Sequence, residues 1–380
     1  MKNGSKFVIV GGGLVAGYAA RQFVELDLKP GDLTILSADS AIPYERPSLS
    51  KGFLAGRESE AAIEINPAGF YAEHGITLRL DTRVTAVDPK QQRLTLQPGS
   101  EFQYESLILA TGSRARRFDS PNPNVMYLRS LADAKALHER AAGVKRATVI
   151  GGGFIGMEVA SVLAGQSIEV TMAMRESRVW EHFFTPELSR LFEDYYTARG
   201  VHLMKNASAT QLREQSDAAE LAVAGVGAEP VLDFLEGSGI AIDKGDKGVT
   251  VNENLETNIP GIFAAGDIAN YPDLLFNKRR RVEHWDNAVE QGRHIARELM
   301  GKRAPFRHVP YFFSDVFDLS YEFWGDTEGA DRTELRGDPS IKSVSVWWYR
   351  QSAVIGAFVM NRPEDERNSA PKLIESRQAA

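Results

Sequence analysis

An α/β fold with two Rossmann-like dinucleotide-binding domains and a small α+β C-terminal domain is predicted by three observations. A β-branched apolar run that stops at three glycines and opens into an Ala-rich helical pattern occurs twice. A third glycine signal lies far beyond the second copy. From about Pro305 the pattern changes to alternating apolar and aromatic runs such as VSVWWYR and VIGAFVM, which suit antiparallel strands.

The two copies are KFVIVGGGLVAGYAARQFVEL from Lys6 and RATVIGGGFIGMEVASVLAGQ from Arg146, each reading strand, glycine turn, helix, and followed by a second strand, LTILSAD or IEVTMAM. In the first turn Gly11 permits the tight bend, Gly13 lets backbone approach a pyrophosphate and the small Ala16 lets helix and strand pack closely, with Gly12, Leu14 and Val15 in the same turn and the helix N-terminus facing the phosphates. In the second, Gly151, Gly153 and Gly156 take the same places, with Phe154 and Ile155 opening the helix. Two such turns imply two dinucleotides. Asp39, just past the second strand of the first copy, reads either as a ribose-diol acceptor or as a solvated turn aspartate. In the second copy the strand-end position is Met174, and the nearest acid is Glu176, between Arg175 and Arg178. Glu176 favours NADH, whereas the flanking arginines can accept the extra phosphate of NADPH. The signal TNIPGIFAAGDIA, with its Gly266-Asp267, implies that the first domain closes with chain that returns after an inserted second domain. The expected division is 1–120 with 246–303, then 121–245, then 304–380, ending in a polar helix or tail.

A chain of 380 residues, 43% hydrophobic and 25% charged, has the composition of a soluble multidomain protein and excludes the disordered and fibrous classes. No apolar run is long enough to span a bilayer, and FVIVGGGLVAGYAA is broken by glycines and lacks a cleavage pattern, so the expectation is a cytoplasmic protein without a membrane partner. A net charge of −7 argues against nucleic acid. The seven histidines show no spacing that assembles a metal site. With no cysteine anywhere, disulfides, thiolate sites and iron-sulfur clusters held by this chain are excluded, and redox work requires a bound cofactor.

The motifs GGGLVAGYAA, YERPSLSK, GGGFIGMEVA, IFAAGD, RRVEH and PYFFSDVFDLSYEFWGD run nearly the full length in order. With them the chain resembles the FAD- and NAD(P)H-dependent reductases of the glutathione reductase fold that lack redox cysteines, a group including ferredoxin and rubredoxin reductases, apoptosis-inducing factor and monodehydroascorbate reductase. The resemblance implies FAD on the first unit, NADH or NADPH on the second, and a C-terminal domain closing over the flavin. It assigns Asp39 and Arg46 to the FAD adenosine and phosphates, Val84 to the adenine, Arg129 to the flavin and Asp267 to the ribitol. Ala110, Thr111, Gly112, Gly266, Trp285 and Phe313 join the FAD set. Glu176, His182, Gly227, Glu283 and His284 join the second glycine turn in the nicotinamide set. Lys51 and Glu158 are implied to meet as an ion pair beside the flavin N5, where the lysine stabilises charge and the glutamate holds it and orients the nicotinamide.

The disulfide branch of this superfamily carries two cysteines upstream of that lysine; the equivalent positions here are Pro43 and Ser48, so electrons must leave the flavin directly. Two acceptor-site residues of the plant monodehydroascorbate enzymes are also replaced: an arginine falls at Val289 and a tyrosine at Phe313, while a histidine falls at Asn287. Loss of a charged donor discriminates strongly against an anionic radical. The expected activity is therefore hydride transfer from NAD(P)H to FAD, then single electrons to a ferredoxin-like protein. The alternatives are a monodehydroascorbate or quinone reductase, and an NADH-sensing protein with slow turnover like apoptosis-inducing factor. Monomer and homodimer both remain open. Lys278 to Arg281 read either as a solvated loop or as a docking face for an acidic iron-sulfur protein. Trp347 and Trp348, pointing to opposite faces of a strand, are expected to be one core and one exposed or interfacial. The stretch between Asn206 and Gly225 leaves little room for the longer antiparallel hairpin usual in the family.

Overall fold

The computed structural model describes residues 4–376 apart from 119, 121 and 123. Position 121, where the second domain is expected to start, and the last four residues of the expected polar helix or tail lie outside the described residues. The chain divides into two compact units: Met1–Glu45, Ala61–Arg114 and Glu229–Pro310 form one, and Arg46–Glu60, Ala115–Ala228 and Tyr311–Ala380 form the other.

In the first unit, Gly4–Val10 pairs in parallel with Leu33–Leu36 on one side and Ser100–Leu109 on the other. Residues Phe7 to Val10 are all at most 3% exposed, as a central strand covered on both faces requires. Ser100–Leu109 serves two pairings. Its first half, alternating between buried and exposed, pairs antiparallel with Arg93–Leu96, and its continuously buried end pairs in parallel with Gly4–Val10 and with Ile262–Ala264. The third glycine signal thus contributes a strand to the first sheet, which is how the chain returns there. Helix Leu14–Glu25 buries Val15, Ala16, Ala19, Ala20 and Phe23.

In the second unit, five parallel strands run in the order His202–Met204, Glu169–Ala173, Arg146–Ile150, Leu221–Ala224 and Val125–Met126. The short stretch after Asn206 forms helix Ala209–Ala218, started by a Ser208–Gln211 capping box, and then strand Leu221–Ala224. A helical crossover thus occupies the place of a hairpin. The C-terminal segment forms a five-stranded antiparallel sheet in the order Tyr311–Val316, Leu319–Gly325, Ala353–Met360, Ser343–Arg350, Arg332–Asp338. Helix Glu364–Ser376 follows and buries Ala370 and Ile374.

Trp347 and Trp348 are both buried, at 0% and 4% exposure, which corrects the expectation that one faces outward. The sheet is covered on both faces. On one side the Trp347 indole N–H reaches Ser345 Oγ at 3.0 Å and Ser345 Oγ donates to Glu366 of the terminal helix. On the other, Trp348 meets Phe323 at 5.6 Å and Phe183 at 6.4 Å between ring centroids. Among the described residues no helix is long and apolar enough to cross a membrane.

Helix Phe154–Gly165 carries two glycines of opposite consequence. A Cβ on Gly156 would stand 2.0 Å from the Gly151 carbonyl oxygen, whereas one on Gly165 meets nothing within 4 Å. Gly156→Ala should therefore destabilise the protein by about 1–3 kcal/mol, and Gly165→Ala should be neutral or stabilising by roughly 0.5 kcal/mol. Differential scanning calorimetry of the two variants checks both.

Candidate functional site

The two glycine turns come first. In the first unit Gly11 has φ +120°, and a Cβ there would lie 2.1 Å from the Ala110 carbonyl oxygen; one on Gly12 would lie 2.2 Å from Ser37 Oγ. In the second, Gly151 has φ +111° and its Cβ would lie 2.4 Å from the Gly225 oxygen. Both turns are closed against side chains at the strand end. The helices they open, Leu14–Glu25 and Phe154–Gly165, begin at Gly13 and Gly153 with no side-chain cap and no acid in the first turn. Helices Leu131–Ala141, Pro186–Thr197 and Ala209–Ala218, by contrast, are capped by Ser130, Thr185 and Ser208. First-turn amides left without a side-chain cap, at the positive end of a helix dipole and behind a turn bare of Cβ atoms, fit a pyrophosphate. On this ground the residues fit two bound dinucleotides.

Asp39 is half-buried. Its Oδ1 accepts from Ala41 N at 3.1 Å and its Oδ2 from the Tyr44 hydroxyl at 3.1 Å, so it shapes the turn and retains acceptor capacity on both oxygens. Val84 is 9% exposed and Ala110 6%. Thr111 Oγ1 donates to Val231 O at 2.7 Å, and Gly112, at φ +65°, accepts from Val231 N at 3.0 Å. Gly266 N donates to Gln291 Oε1 at 2.8 Å, and the buried Asp267 carboxylate accepts from Ser113 Oγ at 2.5 Å. Trp285 Nε1 and the Tyr18 hydroxyl donate to the two oxygens of Glu45, each at 2.5 Å. Burial, then Glu45, raises the Tyr18 phenol well above its ordinary range, so it remains a donor. Glu283 pairs with Arg281 Nη1 at 2.5 Å. Burial, reinforced by Arg280, pushes the His284 imidazole down to about 4, so it stays neutral at physiological pH and is not poised as an acid or base there. Val289 is 2% exposed and packs in the core of this unit.

The basic run is largely a strand rather than a loop, with Arg279 exposed and Lys278, Arg280 and Arg281 half-buried. Lys278–Arg280 is a strand paired antiparallel with Ala269–Asp273. Arg279 Nη2 donates to the Val251 and Asn270 carbonyls at 2.6 and 2.7 Å, Arg280 pairs with the buried Asp273, and Arg281 Nη1 donates to Asp267 O at 2.7 Å. Each guanidinium ties chain segments together because its fork reaches several oxygens at once.

In the second unit, Lys51 Nζ meets Glu158 Oε1 at 2.7 Å, and Glu158 is 4% exposed. Glu158 lies beyond the first helical turn, so the dipole is not what places it. Two hydroxyls absent from the sequence-based set join it: Ser314 Oγ donates to Oε1 at 2.5 Å, and Ser50 Oγ donates to Oε2. Their only sequence signal is adjacency to Phe313 and Lys51. Lys51 Nζ also lies 5.3 Å from the Phe313 ring centroid, within cation–π range. Arg46 Nη1 donates to Arg129 O at 2.6 Å, and Arg129 N to Asp133 Oδ2 at 3.1 Å. Gly227, at φ +104°, accepts from Arg116 N at 2.9 Å. Phe154 meets Phe312 at 4.6 Å, Ile155 is 37% exposed, and His182 is exposed. Glu176 is half-buried. Arg178 turns inward, its guanidinium donating to Phe184 O, Ser189 Oγ and Glu181 O at 2.5, 2.8 and 2.7 Å, which leaves Arg175 as the exposed arginine beside Glu176.

Residues 5–292 match the family described as pyridine nucleotide-disulphide oxidoreductase, and residues 311–380 match a reductase C-terminal family. Peroxisomal monodehydroascorbate reductase 4 of Arabidopsis thaliana is 35% identical over 98% of this chain and 83% of its own length. Monodehydroascorbate reductase of Pisum sativum is 32% identical over 100% and 96%. Among solved structures, a chain of the covalent putidaredoxin reductase–putidaredoxin complex superposes with TM-score 0.91 at 30% identity, covering 99% of this chain and 94% of that one. A ferredoxin reductase from Rhodopseudomonas palustris gives TM-score 0.91 at 29% identity, covering 100% and 96%. Two uncapped dinucleotide turns, a matched family model over most of the chain and full-length relatives lead to one statement: this chain belongs to the pyridine nucleotide-disulphide oxidoreductase family, as an FAD-dependent NAD(P)H oxidoreductase that lacks the disulphide.

Proposed function

We propose that this reductase uses NADH and delivers single electrons to an iron-sulfur protein of the ferredoxin type. The turn Gly11 to Ala16 is assigned to the FAD pyrophosphate and the turn Gly151 to Gly156 to that of the nicotinamide dinucleotide, each held by first-turn amides. Correspondingly, residues 1–120 with 246–303 are assigned to flavin and 121–245 to nicotinamide. Asp267, oriented by Ser113, is assigned to the ribitol hydroxyls. Bound FAD supplies the conversion of a two-electron donor into single electrons. Lys51 is assigned as the cation that offsets negative charge at the reacting ring, and Glu158 as the group that holds it.

The observation that carries the choice of acceptor is the environment of Lys51. Its charge is already matched by Glu158, and the aromatic face beside it belongs to Phe313, which offers no hydroxyl. A small anionic radical finds neither the arginine nor the phenol it would need, because Val289 is a core residue and Phe313 a hydrocarbon. Full-length likeness to a reductase seen with putidaredoxin supports a protein acceptor. A second reading, reduction of monodehydroascorbate, is favoured by the 35% identity to a plant enzyme of that name across 98% of the chain. NADH is preferred to NADPH because Glu176 is the acid nearest the strand end and, of its two flanking arginines, Arg178 is spent on three internal oxygens, leaving Arg175 alone to meet a 2′-phosphate.

Lys51→Gln should slow the bleaching of the flavin by NADH about a hundredfold, read by anaerobic stopped-flow absorbance. In steady state, kcat/KM for NADH should exceed that for NADPH by at least about tenfold, and Glu176→Gln should narrow the ratio; a wild-type preference for NADPH would refute the assignment of Glu176. An acceptor screen should show turnover with a [2Fe-2S] ferredoxin at least about tenfold above that with monodehydroascorbate, with Phe313→Tyr raising the latter. The reverse order in the wild-type enzyme would establish the second reading.

A further inference from the structure

Glu158 receives three donors from chain segments far apart in sequence. Lys51 Nζ at 2.7 Å and Ser314 Oγ at 2.5 Å share Oε1, while Ser50 Oγ takes Oε2. Glu158, Ser50 and Ser314 are 4%, 2% and 0% exposed, so little water competes for these bonds. An ion pair alone sets a distance but no direction, because a lysine ammonium is a point charge on a flexible stem with freely turning donors. Direction must come from the acceptor. A hydroxyl on each carboxylate oxygen fixes the plane of the group about its last torsion, which is otherwise broad and roughly two-fold. Both serines sit on rigid backbone. Ser50 closes the short helix Arg46–Ser50, and Ser314 lies in strand Tyr311–Val316, paired in register with Tyr321 of the adjoining strand.

We propose that Ser50 and Ser314 are positioning residues for the reductive step: they orient the Glu158 carboxylate and, through it, aim the Lys51 ammonium. Ser314 makes the C-terminal sheet part of the machinery that holds Lys51. With donors on both oxygens, Glu158 serves as an anchor for Lys51 rather than as a proton carrier. The inference rests on the assignment of Lys51 and Glu158 to flavin reduction proposed above.

The test compares Ser314→Ala, Ser50→Ala, the double variant and Ser314→Thr, all as FAD-loaded enzyme, with Lys51→Gln as reference. The first readout needs no turnover: pulse acetylation with acetic anhydride, followed by peptide mass spectrometry, measures the reactivity of Lys51. Each Ala variant should acetylate Lys51 at least about threefold faster than wild type, since one charge-assisted bond to its partner is gone. Stopped-flow reduction by NADH should fall about tenfold in each single Ala variant, with the NADH dissociation constant nearly unchanged, and Ser314→Thr should restore the rate. Wild-type values of both quantities in the double variant would overturn the proposal, as would a lowered melting temperature with neither quantity moved, which is a purely structural role. Should Ser314→Ala not fold, Ser50→Ala applies the same test from the other oxygen. If Lys51→Gln leaves the reduction rate intact, the underlying assignment fails and this inference with it; if Lys51→Gln slows reduction and the serine variants do not, the positioning role alone fails.

Discussion

A carboxylate at 4% exposure has to be matched by donors wherever it sits, and in this protein the matching of Glu158 ties together distant parts of one unit. The second unit is assembled from Arg46–Glu60, Ala115–Ala228 and Tyr311–Ala380, three stretches far apart in the chain. Glu158 is where all three meet through hydrogen bonds: Ser50 and Lys51 come from the first, Glu158 from the second, Ser314 from the third. Removal of any one donor leaves part of a buried charge unmatched, which costs far more than an exposed ion pair of the same length. Residues 46–60 are also held to this unit by Arg46 on the Arg129 carbonyl, His138 on the Leu54 carbonyl and Lys135 on Glu60.

The glycine turns impose the second constraint, and it is steric rather than electrostatic. At Gly11, Gly12 and Gly151 a Cβ would fall within 2.4 Å of another atom, and at Gly156 within 2.0 Å of a carbonyl oxygen. Such close approach keeps the strand end bare and lets helix amides point outward. The same amides carry no side-chain cap, although the Ser130, Thr185 and Ser208 helices show that caps are used elsewhere in this chain. First-turn amides without a side-chain cap remain able to receive an anion, which is the feature a dinucleotide pyrophosphate would use there.

Several arginines of this protein bond within their own unit. Arg178 read from the sequence as a phosphate-binding residue, and Arg279, Arg280 and Arg281 as a solvated loop or a docking face; all four guanidiniums donate to carbonyls or carboxylates of their own unit. A guanidinium presents five donors in a fixed fork, so it is the side chain best able to satisfy several loop carbonyls together. The same principle explains Trp347 and Trp348. Alternation on a strand was legible, but whether both faces are covered depends on what packs against the sheet, here the terminal helix on one side and Phe183 and Phe323 on the other.

Periodicity and glycine spacing were enough to place both glycine turns, the strand Ile262–Ala264 that returns to the first sheet and the antiparallel C-terminal sheet, because each rests on a local pattern, while the pairing of Lys51 with Glu158 came from the family resemblance, by motifs matched residue by residue. The absence of cysteine likewise excluded a thiol relay before any fold was known. Ser50, Ser314, Glu45 and Ser113 were not legible. A serine hydroxyl or a glutamate has no periodic signature, and its role is set by a partner some 108, 156, 240 or 154 residues away. Which arginines bond internally, and the covering of both Trp347 and Trp348, were decided the same way, by tertiary packing, since desolvation and hydrogen-bond geometry are properties of neighbours in space and not of neighbours in the chain.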